Sequence, residues 1–333
     1  MTHEAVLKDL RDKKYHPVYF LSGEEPYYID VVSDFISANV LNEAEKSFNQ
    51  TVYYGKDTSI ENVITTARRF PMMASHQVVI VKEAQDLKKI DILDKYLDAP
   101  LKSTILVICY KKKLDGRTNF AKSLQKKCIY MDSEKIRDYK LPDWIVGHVM
   151  SIGYEIDMKS AVLLGDYLGA DLGKIIGEIN KLKIVLETKK TKKITPELIE
   201  QNIGISKEYN PLELNNALMK KDVLKANTII RYFGKNPREY PMPLIIGFLF
   251  NTFSKLLIYY YVENKTDKKV LADSMGVPPF FLNDYIDAAK RYPARKLVEI
   301  ISVIREYDLK SKGVNADTDD GELMKELVYK ILH

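Results

Sequence analysis

The hydrophobic pattern changes character along the chain. In the first 140 residues, short continuous apolar runs alternate with segments of helical period. Val18-Tyr19-Phe20-Leu21 is such a run and stops at Ser22-Gly23; Val78-Val79-Ile80-Val81 is β-branched throughout; residues 103–109 form a third. Runs of this length, bounded by turn residues, predict strands buried on both faces. Residues 48–54 alternate like a strand, and 128–130 read as a last short one. Helical period covers 5–12, 27–40, 59–69 (opened by Ser59 as a cap), 90–97 and 119–126. Strands separated by helices predict a mostly parallel sheet covered on both sides.

Beyond residue 142 the strand signal fades. Helices are predicted over 142–150, 159–169 and 172–186, followed by a Lys-rich turn at 188–193. Thr195-Pro196-Glu197 is a helix start: a capping hydroxyl, a proline at the first helical position and an acid in the first turn. Asn210-Pro211 is the next break, and helical period then covers 212–219, 223–233, 243–263, 279–291, 294–312 and 321–332. The expected fold is α/β plus all-α in three parts: an α/β domain over 1–140, a small helical domain over 141–205 and a larger helical domain over 206–333. The length of 333 residues fits two or three domains at about 150 residues each.

Composition narrows the classes. Two cysteines, Cys109 and Cys128, cannot build a disulfide scaffold or a Cys-rich metal site. His3, His16, His76, His148 and His333 show no metal-ligand spacing, and no metal or cofactor is expected. No uninterrupted apolar run reaches the roughly 18 residues of a membrane span, and the N-terminus lacks a signal-peptide pattern, so a cytoplasmic protein without a membrane partner is expected. The net charge is +5 and none of the three parts is strongly basic; only ten of the basic residues are Arg. Contact with nucleic acid is permitted by this balance and not required by it.

The turn after the first strand carries the most chemistry. A buried strand running through glycine into a helix is the setting of a phosphate-binding loop, G-x-x-x-x-G-K-[ST]. Laid on Gly23, the second glycine, the lysine and the hydroxyl residue fall on Tyr28, Ile29 and Asp30. None matches. Glu24 and Glu25 add two negative charges where an anion would sit. After Val78–Val81 comes Lys82-Glu83 rather than a pair of acids for magnesium. Either the loop is degenerate and holds no nucleotide, or Gly23 only ends a strand.

In the order of its motifs the chain resembles the delta-subunit family of the bacterial DNA polymerase III clamp loader. The matching segments run from Pro17-Val18-Tyr19-Phe20-Leu21-Ser22-Gly23-Glu24-Glu25 through Ala67-Arg68-Arg69-Phe70-Pro71-Met72-Met73, residues 78–84, Leu114-Asp115-Gly116-Arg117 and residues 172–182 to Glu306-Tyr307-Asp308-Leu309-Lys310-Ser311-Lys312. The resemblance implies an AAA+-like α/β domain with a small helical lid over 1–205 and a helical collar domain for oligomerisation over 206–333. It implies a subunit that does not hydrolyse ATP. Such a subunit binds the sliding clamp (beta), opens or holds open one interface, and sits in a pentamer with ATP-hydrolysing subunits and delta-prime on primed DNA. Polymerase (nucleotidyltransferase) chemistry would belong to another chain of that assembly.

The family's clamp-contacting apolar pair maps onto Met72 and Met73. Pro71 ends the preceding helix, and unbranched Met suits a groove. The alternative is that both fill this chain's own core, where Phe70 is expected as an anchor. Lys111, Lys112 and Lys113 with Arg117 are candidate DNA contacts, or a solvated loop; Lys310 and Lys312 are candidates for the DNA passage of the collar. Of Tyr259, Tyr260 and Tyr261, at least one is expected to pack in the core. Two other functions stay open at this stage: an ATP-hydrolysing AAA+ protein with an unorthodox loop, and a helical scaffold that binds nucleic acid directly.

Overall fold

The computed structural model describes residues 1–206, 208–314 and 318–333. The chain divides into two compact units, Met1–Ile136 and Arg137–His333. The boundary expected near residue 140 lies close to this division, and the one expected near 205 falls inside the second unit.

The first unit runs α1 (His3–Arg11), β1 (Val18–Gly23), α2 (Pro26–Asn39), α3 (Glu43–Asn49), β2 (Gln50–Tyr54), α4 (Ile60–Ala67), β3 (Gln77–Lys82), α5 (Leu93–Leu97), β4 (Thr104–Tyr110), α6 (Asn119–Lys127) and β5 (Ile129–Ser133). The strands form one sheet in the order β2-β3-β4-β1-β5, and every pairing is parallel. Strand alternation sends Tyr19, Leu21, Val78, Ile80, Ile105 and Val107 to one face, where they pack with Val6 and Leu10 of α1 and Ile29, Val32 and Ile36 of α2. Val18, Phe20, Val79, Val81, Leu106 and Ile108 go to the other, against Ile60 and Val63 of α4, Tyr96 of α5 and Leu124 of α6. Both faces are covered, which is why the strands read as continuous apolar runs. This is the expected α/β arrangement, a parallel sheet covered on both faces.

Two local readings change. Residues 48 and 49 belong to α3, not to a strand, and β2 starts at Gln50. The helix is held by a capping box, in which the Asn42 side chain accepts the Glu45 N–H (2.9 Å) and the Glu45 carboxylate accepts the Asn42 N–H (3.0 Å). Residues 90–97 form a single 3₁₀ turn followed by the short α5.

The second unit contains α7 (Leu141–Ser151), β6 (Glu155–Ile156), α8 (Met158–Leu168), α9 (Leu172–Lys189), β7 (Lys193–Ile194), α10 (Pro196–Ile203), α11 (Pro211–Lys220), α12 (Val223–Lys235), α13 (Met242–Tyr261), α14 (Lys268–Met275), α15 (Leu282–Arg291), α16 (Ala294–Ser311) and α17 (Asp320–Leu332). Thr195 and Asn210 cap α10 and α11 with their side chains, as their positions before Pro196 and Pro211 imply. The two-residue strands β6 and β7 pair in parallel, and α14 was not evident in the sequence.

By length and composition, α13 is long and apolar enough to cross a membrane, with a mean hydropathy of 1.5. The uninterrupted-run criterion misses it because polar residues interrupt it at Asn251, Ser254 and Lys255. Its Ile245, Leu249, Phe253 and Leu256 are buried in the core of this unit, and α16 packs along it. The tyrosine cluster at its end splits as expected. Tyr260 donates its hydroxyl to the carbonyls of Ala289 (2.6 Å) and Tyr292 (3.0 Å), while Tyr261 is exposed.

Candidate functional site

A parallel sheet offers a ligand site outside the carboxyl ends of its strands, where the strand order reverses. Here that edge is built from Gly23 at the end of β1, Glu83 after β3, Lys111 after β4 and Ser133 at the end of β5. Gly23 has φ +134°, and a Cβ there would lie 2.1 Å from the Ser133 carbonyl oxygen. Glycine is therefore required for the close approach of two backbones.

The loop amides are already engaged. Gly23 N–H donates to the Lys112 carbonyl (3.1 Å), and Glu24 and Glu25 N–H donate to the Ser133 carbonyl (2.9 and 3.2 Å). The Ser133 hydroxyl donates to the Glu25 carbonyl (2.7 Å). A phosphate cradle needs such N–H groups turned toward the ligand. At the amino end of α2 the Glu25 carboxylate accepts the Tyr27 N–H (3.2 Å), and Pro26 has no N–H to offer.

The three positions aligned with the phosphate-loop pattern do other work. Tyr28 stacks on His3 with ring centroids 3.8 Å apart. Ile29, where a phosphate-binding lysine would stand, is wholly buried in the core. Asp30 pairs with the Lys111 ammonium at 3.0 Å. The same ammonium lies 3.0 Å from Glu83, whose other oxygen accepts from Gln85 Nε2 (2.5 Å). Burial would pull the Lys111 pKa down, but its bonds to Glu83 and Asp30 outweigh that and raise it above the ordinary lysine value. The Gln85 bond, and less strongly Lys111, hold the Glu83 carboxyl below its ordinary value against its own burial. A protein cation thus bridges the two carboxylates. Among the described residues no group of three or more His, Cys, Asp or Glu is placed to hold a metal.

This placement alters one basic candidate. Lys111 was grouped with Lys112, Lys113 and Arg117 as a DNA contact, but its charge is engaged by Asp30 and Glu83. Lys112 and Lys113 are exposed. Arg117 forms a two-pronged pair with Asp115, Nε–Oδ1 3.0 Å and Nη2–Oδ2 2.9 Å, on the surface. Lys310 lies 2.7 Å from Glu306 and over the Tyr307 ring at 4.4 Å, and Lys312 lies 2.7 Å from Asp308. Solvent screening keeps surface pairs of this kind weak.

The second region of interest follows α4. Arg68 closes that helix, and Pro71 leads into a turn in which Met72 is 63% exposed and Met73 is fully exposed at φ +53°. Neither methionine fills the core. Phe70, expected as a core anchor, is 76% exposed instead. Chain direction accounts for this. The last buried side chain of α4 is Ala67, and the short 68–71 link carries Phe70 past the edge of the core before β3 begins at Gln77. Phe48 on α3 is also exposed, and the adjacent Asn49 bonds the Met72 backbone, so a second exposed aromatic side chain stands next to the residue that holds Met72. Exposed large apolar residues gathered in one region mark an interaction surface.

The family model described as "DNA polymerase III, delta subunit" matches residues 19–134. DNA polymerase III subunit delta of Bacillus subtilis (strain 168) is 25% identical over 321 residues, covering 92% of this chain and 91% of that protein. The solved Bacillus subtilis DNA clamp loader delta protein is 24% identical, covers 99% of both chains and superposes with a TM-score of 0.59, so the fold is shared. The chain is similar to delta subunits of DNA polymerase III over nearly its whole length.

Proposed function

We propose that this chain, on the strength of that similarity, is the delta subunit of a DNA polymerase III clamp loader. In this reading it is not itself catalytic. It binds the sliding clamp through Met72 and Met73 and opens one interface of the ring for loading on primed DNA. It does so in a pentamer with delta-prime and ATP-hydrolysing subunits. Residues 141–205 serve as the lid and 206–333 as the collar, and Lys112, Lys113, Arg117, Lys310 and Lys312 are the candidate DNA contacts. Location in the cytoplasm belongs to the same reading.

The observation that carries it is the pair of exposed methionines on a proline-led turn of the α/β unit. Burying each in a groove is worth about 1.5–3 kcal/mol, so two supply roughly two to four decades of affinity. The engaged amides of Gly23, Glu24 and Glu25 and the Asp30–Lys111–Glu83 bridge support the non-catalytic part, because these backbone donors and acids are already paired within the chain.

The test is a titration of purified clamp with the wild-type chain and with the Met72→Ser/Met73→Ser variant. The double variant loses at least about a hundredfold in affinity on the burial values above, with its fold intact because both side chains are exposed. Equal affinity of the two proteins removes the assignment.

A further inference from the structure

The methionine turn is fastened by a side chain from outside it. Asn49, the buried last residue of α3, accepts the Met72 N–H at Oδ1 (2.6 Å) and donates from Nδ2 to the Met72 carbonyl (2.9 Å). Nδ2 also donates to the Glu45 carbonyl within α3 (3.1 Å). A side-chain amide carries the donor and acceptor of a peptide unit, so Asn49 holds Met72 as a neighbouring strand would. The orientation is determined by its partners, because a reversed amide would set NH₂ against N–H. Met73 follows at φ +53° with its side chain in solvent.

A turn of this length, left unfastened, would surrender backbone freedom on docking and weaken the complex accordingly. The Asn49 bonds meet that ordering cost in the free protein. An ionised Asp offers acceptors and no donor; Asn supplies both with one planar group.

We infer that Asn49 is a positioning residue for partner docking, presenting Met72 and Met73 in a fixed turn. The inference rests on the reading of that pair as the clamp contact. The role is indirect: the carboxamide faces the chain's own backbone and not the partner.

Full-length Asn49→Ala and Asn49→Asp variants test it by clamp titration and by amide hydrogen exchange over residues 70–75. Loss of both bonds to Met72 is expected to weaken clamp binding by about tenfold and to speed exchange of the Met72 amide. Asn49→Asp keeps an acceptor for the N–H but sets a buried carboxylate oxygen against the Met72 and Glu45 carbonyls, so it is expected to lose at least as much affinity as Asn49→Ala; Asn49→Ser, small and uncharged, carries the test if the alanine variant does not fold. Unchanged exchange in the core strands, residues 78–81 and 105–108, marks an intact fold. Placed in the Met72→Ser/Met73→Ser background, Asn49→Ala should produce no further loss, since it acts through those side chains. Wild-type binding with unaltered affinity in the Asn49 variants overturns the inference, as does an equal loss in both backgrounds. Failure of the wild-type chain to bind clamp at all removes the clamp reading itself, a result distinct from either.

Discussion

Gly23 shows how the packing of two strands can require a glycine at one position. Strands β1 and β5 meet there backbone to backbone, with Ser133 where a Cβ would be. Gly23→Ala is therefore expected to destabilise the first unit by at least about 1–3 kcal/mol, from the unfavourable φ alone. The shift of the urea midpoint at constant slope measures it. Lys111 illustrates the opposite case, a residue whose role was invisible in sequence. Its partner Glu83 is 28 positions away, and only the parallel registry of β3 and β4 brings the two together. Lys111→Ala leaves Asp30 and Glu83 as adjacent acids, but the loop amides remain engaged. Equilibrium binding of labelled ATP is expected to stay absent in wild type and variant alike, and specific ATP binding by either would contradict the degenerate-loop reading.

At the scale of elements, the second unit offers two checks on its packing. Glu213 of α11 is buried and clamped by Lys159 (2.7 Å) and by Lys225. Burial raises its pKa, yet the two ammonium groups prevail and leave it below the ordinary glutamate value. A carboxyl with a depressed folded pKa contributes stability that is present above its unfolded pKa and is lost as pH falls through the folded one. Glu213→Gln should thus cost about 1–3 kcal/mol at pH 7 and should flatten the fall of stability below about pH 4.5. Denaturant titrations at pH 7 and pH 3.5 read both effects. Close packing of α12 on α17 is set by Gly234, where a Cβ would lie 3.2 Å from Gly321 Cα. Gly234→Leu is expected to force the helices apart at a cost of about 1–3 kcal/mol, seen as a lower melting temperature.

Caps and core strands were legible in the sequence because their signals are local: Ser59 and Thr195 each cap the helix that follows. Helix α3 was missed because Phe48 and Asn49 fit an alternating pattern continuing into β2, although Asn42 and Glu45 had the spacing of a capping box. Strands β6 and β7 are two residues each, too short to show a period. Phe70 was misplaced for a related reason: apolarity records what a side chain can bury, and the turn at Pro71 decides whether it does. Met72 and Met73 were located by their place in a motif series, while the Asn49 bonds that order their turn arise from contacts 23 positions apart.

For the molecule as a whole, the carboxyl edge of the sheet is occupied by the chain's own side chains, and a surface turn of the same unit carries exposed apolar residues. Under the proposed function the chain separates a ring interface without using a nucleotide. The direct measurement is fluorescence transfer between dyes placed across one interface of the sliding clamp, recorded as the purified chain is added without ATP. The account predicts a drop in transfer that saturates with the chain and is abolished by Met72→Ser/Met73→Ser. Unchanged transfer at saturating, demonstrated binding, or a drop that appears only when the isolated chain turns over ATP, would contradict it.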